Sequence, residues 1–260
     1  MPDLKFEDVA ISYGPPGAPP AVRNVTLTVR AGSTFGLVGE SGSGKSTLAR
    51  AAVGLVAINH GRITLGQRTI ADASTRHRRA QPARTVQMVF QDSAGALNPH
   101  RTAGQSIIEG IAASGQVPRS DFRSELERVL DLVHLHRRHA DRHPPELSGG
   151  QRQRVALARA IAARPEVIVA DEVTSALDVS VQSAILNLLC ELQEQLALTV
   201  LFISHNLAAV RYLSHQIAVM RDGEIVDEGP AATLLADSSV PYTRKLVEAV
   251  LTIPPLAATR

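Results

Sequence analysis

The sequence contains a single cysteine, no tryptophan and few aromatic residues of any kind. The lone Cys190 excludes an internal disulfide and any zinc or iron–sulfur site built from several cysteines, and it is typical of a reducing compartment. No uncharged apolar run reaches the roughly 18 residues that a membrane-spanning helix needs, and residues 1–12 lack the pattern of a secretory signal. We therefore expect any role at a membrane to depend on a partner.

An excess of charge of one sign is also lacking. The 27 lysines and arginines nearly cancel the 25 aspartates and glutamates, which leaves a net charge of +2. So small an excess provides no strong electrostatic field for nucleic acid or a membrane surface. The hydrophobic content of 44% over 260 residues is ample for a buried core, so we expect a folded chain rather than a disordered one.

Apolar periodicity in the first part of the chain predicts a β-layer followed by an α/β unit. Residues 4–12 and 22–30 alternate apolar and polar side chains as half-exposed antiparallel strands do, and a Pro- and Gly-rich loop at 14–20 joins them. Residues 34–39 form a short apolar strand, and residues 45–55 have helical spacing. A strand, a Gly-rich turn and a helix in this order open a parallel α/β unit.

The second part of the chain loses its strand patterns and then regains them. From about residue 93 to 142 no strand is predicted, and residues 121–135 have the spacing of an amphipathic helix. Apolar strands return at 166–171 and 199–204, with an amphipathic helix at 181–196 between them. Residues 216–229 indicate a hairpin that turns at Asp222-Gly223. The pattern predicts a helical insertion within an α/β core.

The segment GESGSGKS at 39–46 matches the phosphate-binding pattern G-x-x-x-x-G-K-[ST] and lies between a predicted strand and a predicted helix. Its glycines allow backbone N–H groups to surround phosphate oxygens, and the helix N-terminus adds a favourable dipole. We expect Lys45 to pair with the β- and γ-phosphates and Ser46 to bind Mg²⁺. The residues assigned to nucleotide binding here are Gly39, Ser41, Gly42, Gly44, Lys45, Ser46 and Thr47.

Two adjacent carboxylates, Asp171 and Glu172, end the apolar strand at 166–171. A phosphate loop requires a carboxylate that holds the metal, and Asp171 is placed for this role. Glu172 follows directly, so it is the candidate for orienting or deprotonating the attacking water. An acidic pair after a strand is usually a solvated strand end, but here it follows a phosphate loop in the same chain.

A second segment with the features of a phosphate-binding site is LSGGQRQR at 147–154. Ser148, Gly149 and Gly150 precede a helical pattern, so they offer backbone amides and a hydroxyl at a helix N-terminus. The alternative is an ordinary helix cap. A single nucleotide cannot easily use both this segment and the loop at 39–46 unless two chains meet.

With these motifs the chain resembles the ATPase subunits of ABC transporters over nearly its whole length. In that family the LSGGQ signature of one subunit closes on ATP held by the other subunit's phosphate loop. The resemblance implies that Tyr13 stacks on adenine, that Gln91 contacts the metal and senses the γ-phosphate and the membrane partner, and that His205 contacts the γ-phosphate. It further implies a signature of Ser148, Gly149, Gly150 and Gln151, and a communicating loop of Ser175, Ala176, Leu177 and Asp178.

The resemblance implies one ABC ATPase domain over residues 1–260. A P-loop NTPase core of RecA type, with a mainly parallel sheet and the N-terminal antiparallel β-layer, is expected at residues 1–91 and 161–260. An inserted α-helical subdomain that carries the signature is expected at residues 92–160. The catalytic residues are then Glu172, His205 and Gln91, the Mg²⁺ ligands are Ser46, Gln91 and Asp171, and the nucleotide is ATP.

Two positions depart from the pattern of many relatives. Val173 replaces a proline after the catalytic acid, and Asn206 replaces an aspartate after the switch histidine. Proline fixes φ, so its loss is expected to loosen the placement of Glu172. Neither change removes a charge or a ligand that the proposed chemistry needs.

Two other clusters suggest further sites. His134, His136, His139 and His143 invite a metal-binding interpretation, but on a continuous helix only His136 and His139 have suitable spacing. The arginine-rich stretch at 75–84 lacks the interleaved aromatics of a nucleic-acid surface, so a solvated surface is favoured.

Three segments, at 88–99, 175–189 and 240–250, resemble importers of dipeptides, oligopeptides and nickel or metal chelates. The expected partners are a second ATPase subunit, identical or not, two membrane permeases and an extracytoplasmic substrate-binding protein, with no nucleic acid. The chain would then lie peripherally on the cytoplasmic face of the inner or plasma membrane. Residues 93–101 are the expected docking site of the permease, and Leu97→Asp is expected to uncouple transport while sparing basal hydrolysis. Peptide and nickel both stay open as cargo.

Two rival functions come from other classes. An ATPase that clamps a soluble complex, such as a phosphonate-cleaving lyase, uses related cassettes. DNA-repair and translation ATPases of this superfamily usually need two cassettes or a long coiled-coil insertion, and neither pattern occurs in this sequence.

Overall fold

The computed structural model describes residues 1–14, 19–75, 85–175 and 177–251. The strands are β1 Leu4–Ile11, β2 Val22–Val29, β3 Thr34–Val38, β4 His60–Leu65, β5 Arg68–Asp72, β6 Val86–Val89, β7 Val167–Asp171, β8 Thr199–Ile203, β9 Gln216–Arg221 and β10 Glu224–Pro230. The helices are α1 Lys45–Ala52, α2 Ser93–Ala96, α3 Ala103–Ser114, α4 Phe122–Leu132, α5 Gly149–Ala162, α6 Val179–Leu196, α7 Leu207–Leu213, α8 Ala231–Asp237 and α9 Pro241–Leu251.

The strands of the described residues form two sheets. The larger sheet has the order β10-β9-β3-β8-β7-β6, and its β9-β3-β8-β7-β6 part is parallel. Strands β3, β7 and β8 are buried along their whole length, as parallel strands covered on both faces are. The smaller sheet is antiparallel, with the order β2-β1-β4-β5. The predicted parallel core and N-terminal β-layer are thus confirmed.

The hairpin of β4 and β5 is absent from the sequence-based prediction. Both strands mix exposed, partly buried and buried residues, and their pairing is irregular between Ile63 and Thr64. Only Ile63, Leu65 and Ile70 of the two strands are large apolar residues, so the apolar alternation that predicts a strand is short and weak here. By contrast, the predicted turn at Asp222-Gly223 is confirmed, since both residues have positive φ and join β9 to β10.

Between β6 and β7 the described chain contains helices and no strand, as the sequence predicts. Helices α3 and α5 pack closely, since a Cβ at Gly110 would lie 2.3 Å from the Arg159 carbonyl oxygen. The predicted helix at 121–135 is wrong at its end, because α4 stops at Leu132 and His134 has a φ of 53°. Left-handed backbone at a non-glycine residue cannot continue an α-helix. The histidines at 134–143 therefore do not share one helix.

The parallel strands bring several of the segments predicted to be functional to one edge of the larger sheet. The phosphate-binding segment follows β3, Asp171 ends β7, and His205 comes two residues after the end of β8. Gln91 follows β6 in the same way. Carboxyl ends of parallel strands share one edge, which is where ligands of open α/β sheets bind. Within the residues that the structure covers, no helix is long and apolar enough to cross a membrane.

Candidate functional site

Lys45 lies inside the phosphate loop rather than on its surface. Its side chain is buried, and its ammonium group donates to the carbonyl oxygens of Gly39 at 2.9 Å and Glu40 at 2.7 Å, and to the Ser43 hydroxyl at 3.2 Å. Burial lowers the pKa of Lys45, whereas the nearby Glu172 and Asp171 carboxylates oppose this shift. The lysine therefore places a positive charge at the centre of a loop made of backbone groups.

Two glycines of this loop have backbone conformations and neighbours that exclude a side chain. Gly39 has a φ of 151°, and a Cβ there would lie 2.0 Å from the Met220 carbonyl oxygen. Gly44 has a φ of 104°, and its Cβ would lie 2.3 Å from the Ala21 carbonyl oxygen. The Gly223 amide also donates to the Ser43 carbonyl at 3.0 Å. The loop is thus held against the ends of β2 and β9, which sequence reasoning did not anticipate.

Asp171 faces the start of α1. It is buried, and its Oδ1 accepts a hydrogen bond from the Ser46 hydroxyl at 3.0 Å. Burial raises the pKa of Asp171, and the Ser46 hydrogen bond acts in the opposite direction. The two residues predicted to share a metal are therefore in direct contact, on oxygen atoms of the kind that Mg²⁺ prefers.

Glu172 and His205 meet across the ends of β7 and β8. The His205 Nδ1 lies 3.2 Å from the Glu172 Oε1, and the Glu172 amide donates to the Ile203 carbonyl at 2.9 Å. Glu172 has a φ of 49°, a conformation that costs a non-glycine residue about 1–2 kcal/mol. Backbone strain of this kind concentrates at functional sites. The imidazole of His205 thus orients the carboxylate of Glu172, and this carboxylate can accept a proton from water.

Tyr13 and Gln91 lie at the margins of this site. Tyr13 is about half exposed, and its hydroxyl is 3.4 Å from the Thr47 hydroxyl, so its ring lies beside the phosphate loop. Gln91 is exposed beyond β6, and the structure places it in no hydrogen bond with Ser46 or Asp171. The predicted metal contact of Gln91 therefore stays a prediction.

Ser148 caps α5, which is the ordinary helix cap that the sequence left open beside a phosphate-binding role; that role stays a prediction. Its hydroxyl accepts from the Gln151 amide at 3.2 Å, and the Gln151 Oε1 accepts from the Ser148 amide at 2.9 Å, so the two residues form a capping box. Gly150 approaches α6, since a Cβ there would lie 2.6 Å from the Val181 Cγ1. No hydrogen bond among the described residues joins this segment to the phosphate loop.

Comparison with known proteins identifies the family. The model of the ABC transporter family matches residues 22–175. A Brucella abortus protein named as a peptide import ATP-binding protein is 46% identical over 230 residues, which are 88% of this chain and 69% of that protein. The chain belongs to the ABC transporter family. The glutathione import ATP-binding protein GsiA of Escherichia coli K12 is 45% identical over 88% of this chain, which spans only 37% of GsiA.

Solved structures of ABC cassettes share the fold. The dimeric post-hydrolysis state of the ATP-binding cassette MJ0796, bound to ADP and Pi, has a TM-score of 0.76 and 28% identity, and the match covers 88% of this chain and 98% of that one. CbiO1 of Clostridium perfringens, part of an ABC transporter complex, has a TM-score of 0.79 and 26% identity, over 96% and 95% of the two chains. The chain is thus an ATP-binding and ATP-hydrolysing ABC cassette, as its motifs predict.

The loop that follows Glu172 in this ABC cassette is joined to Glu172 at one end and to the start of α6 at the other. Ser175 donates its hydroxyl to the Glu172 carbonyl at 2.9 Å, and Asp178 caps α6 by accepting from the Val181 amide at 3.0 Å. Ala176 lies outside the described residues. Val173, one of the two departures, is buried within the core under the helices.

Asn206, the other departure, caps α7. Its Oδ1 accepts from the amides of Ala208 at 3.0 Å and Ala209 at 3.2 Å. Asparagine and aspartate are about equal as N-caps, so this cassette retains a cap at the position directly after His205.

Three further expectations have mixed outcomes. Leu97 is 2% exposed, so Leu97→Asp would place a charge in the core and is not expected to spare hydrolysis; docking at residues 93–101 stays a prediction. The described residues contain no cluster of three or more His, Cys, Asp or Glu that could hold a metal, which argues against a histidine metal site. Most of the arginine-rich stretch, residues 76–84, lies outside the described residues.

The cap at Asn206 generates the first prediction. Asn206→Ala removes both hydrogen bonds at the start of α7, and we expect it to lower the free energy of unfolding by about 1 kcal/mol. Asn206→Asp keeps the acceptor oxygen and is the matched control, with a stability close to that of the unaltered chain. Urea unfolding of the three proteins checks this; an aspartate variant as unstable as the alanine variant would contradict it.

Proposed function

We propose that this ABC cassette drives an importer whose cargo is a peptide. The relatives named above support this, since one is named for peptide import and the other for import of glutathione, itself a short peptide. The sequence left peptide and nickel open, and neither of these two names mentions nickel. The same names favour transport over an accessory role in a soluble complex such as a phosphonate-cleaving lyase.

One observation carries the mechanism: three strand ends supply three kinds of group, and the signature lies elsewhere. β3 leads into the loop around Lys45, β7 ends at Asp171 and Glu172, and β8 leads to His205. Ser148 caps α5 and is not hydrogen-bonded to any of these groups in the described residues. Two cassettes that face each other are the simplest arrangement in which the Ser148 segment of one contacts the triphosphate bound by the other.

The chain's own residues then divide the work on ATP. The amides of the phosphate loop and Lys45 bind the phosphates, while Tyr13, beside Thr47, stacks on adenine. Glu172 orients water and takes its proton, and His205, in contact with Glu172, holds that carboxylate toward the γ-phosphate. Gln91 lies at the edge of this site, where it senses the γ-phosphate and transmits its binding to a permease.

Ser46 and Asp171 would hold Mg²⁺, and Gln91 is the third proposed ligand. A hydroxyl and a buried carboxylate in contact at 3.0 Å fit a small divalent cation that prefers oxygen ligands. When bound, the cation neutralises charge that develops on the phosphate oxygens.

The proposed assembly contains two cassettes, identical or not, two membrane permeases and an extracytoplasmic substrate-binding protein, and no nucleic acid. The cassette lies peripherally on the cytoplasmic face of the membrane. Residues 1–91 and 161–260 form the nucleotide-binding core, and residues 92–160 form a helical subdomain that carries the signature. ATP binding closes the two cassettes on each other, and the closure moves the permeases.

Replacement of the proposed general base tests the mechanism. Glu172→Gln preserves the shape of the side chain but removes proton acceptance, so we expect turnover to fall by about a hundredfold or more. Binding is retained, so the variant should accumulate as an ATP-bound dimer in size-exclusion chromatography. Glu166→Gln, before the other end of β7, is the control and is expected to hydrolyse ATP normally. Near-normal turnover by the Glu172 variant would overturn the assignment.

The docking proposal is tested at an exposed position in place of Leu97. His100 is exposed at the end of the segment 93–101, and His100→Asp adds a charge without entering the core. We expect peptide uptake by the reconstituted complex to fall about tenfold, because the charge would be buried in a permease contact. Hydrolysis by the isolated chain should stay unchanged, and Gln116→Asp, exposed beyond α3, should affect neither. Normal uptake by the His100 variant would exclude docking here.

A further inference from the structure

His139 is a buried histidine that contacts the signature segment. It lies in the 3₁₀ turn Arg137–His139 and is 8% exposed, whereas the neighbouring His136 is exposed. Its Nε2 is 3.3 Å from the Nε2 of Gln151, and no other side chain of the described residues forms a hydrogen bond with the ring. A buried imidazole beside a residue of the nucleotide site has no assigned role in the mechanism above.

The hydrogen bonds around Gln151 fix the direction of this contact. The Gln151 Oε1 accepts from the Ser148 amide at 2.9 Å, so the NH₂ group of the same side chain must face His139. An amide NH₂ only donates, and the His139 Nε2 must therefore be the unprotonated acceptor. The ring proton then resides on Nδ1, which is buried and without a hydrogen-bond partner in the described residues.

The surroundings of the ring favour its neutral form. Burial lowers the pKa of His139, and the positive charges of Arg138 and Arg142, together with His136, lower it further. The His136 carbonyl acts in the opposite direction. From α5 the ring contacts the uncharged side-chain amide of Gln151. From α3 the backbone amides of Ala103 and Gly104 donate to carbonyl oxygens of residues 140–142, which follow His139.

We propose that His139 is a positioning residue for ATP hydrolysis: its neutral ring holds the Gln151 side chain in the capping box with Ser148. Protonation of Nε2 would set an N–H donor against the NH₂ donor of Gln151 and break the contact. The Gln151 amide would then turn away, and the Ser148 cap would lose the arrangement that it presents to the partner cassette's nucleotide. The inference rests on the proposed role of the signature segment.

The pH dependence of hydrolysis tests this through a ratio. The kcat of the unaltered full-length chain is divided by the kcat of His139→Gln at each pH, because the other titrating groups contribute equally to both and cancel. Glutamine offers an acceptor oxygen that does not titrate in this range. His139 is neutral above its lowered pKa and charged below it, so the ratio is expected to fall about threefold or more as the pH is lowered from neutral through that pKa.

His134→Asn is the matched control for this ratio. His134 is an exposed histidine of the same segment, and asparagine tolerates its left-handed backbone. The ratio of the unaltered chain to this variant should stay flat with pH. A flat ratio for the His139 variant as well would overturn the proposal.

The ring proton offers a second measurement that needs no variant. Long-range ¹H–¹⁵N spectra of the labelled full-length chain distinguish the two neutral tautomers of histidine. The expected result at neutral pH is a neutral His139 with its proton on Nδ1. A proton on Nε2, or a charged ring, would refute the contact whether or not Ser148 takes part in hydrolysis; loss of the signature's role would instead appear as normal turnover by Ser148→Arg.

Discussion

The close backbone contacts of the phosphate loop are the constraint on which the site depends. Gly39 and Gly44 leave no room for a Cβ against the Met220 and Ala21 carbonyls, and Lys45 ties the loop carbonyls together from within. A loop held this way presents its amides in a fixed arrangement, so binding a phosphate requires little reorganisation. Asp171 is then set by its contact with Ser46, at the first turn of the helix that the loop begins.

The rest of the site follows from parallel strands of the same sheet. β7 and β8 end at the level of β3, so Glu172 and His205 reach each other and face the loop. The strained backbone of Glu172 is stabilised by its amide hydrogen bond to Ile203. The signature is different in kind, because it belongs to a helix whose cap depends on Gln151 and, through it, on His139. The phosphate loop and the proposed second phosphate-binding segment at Ser148 are thus not joined by any hydrogen bond among the described residues.

Local sequence patterns were sufficient to predict the elements and motifs that depend on residues adjacent in the chain. The strand, loop and helix around 39–46 and the strands that lead to Asp171 and His205 each have a local signal, and the structure places them as predicted. The start of α5 after Ser148 also has a local signal, which fits both the signature and the ordinary cap that the structure shows. Contacts between distant segments have no such signal. The β4–β5 hairpin, the end of α4 before His134, the burial of Leu97 and the contact of His139 with Gln151 depend on tertiary packing, which overrides periodicity.

The sharing of each nucleotide between two cassettes is tested most directly by mixing two defective chains. Lys45→Ala impairs the phosphate loop and Ser148→Arg impairs the signature segment, so neither variant alone is expected to trap a slowly hydrolysed ATP analogue. A mixed dimer keeps one intact site, made of the phosphate loop of one variant and the signature of the other. The mixture is therefore expected to trap the analogue where the separate proteins do not. Tight trapping by the Ser148→Arg chain alone, or no recovery on mixing, would contradict a site built from two copies.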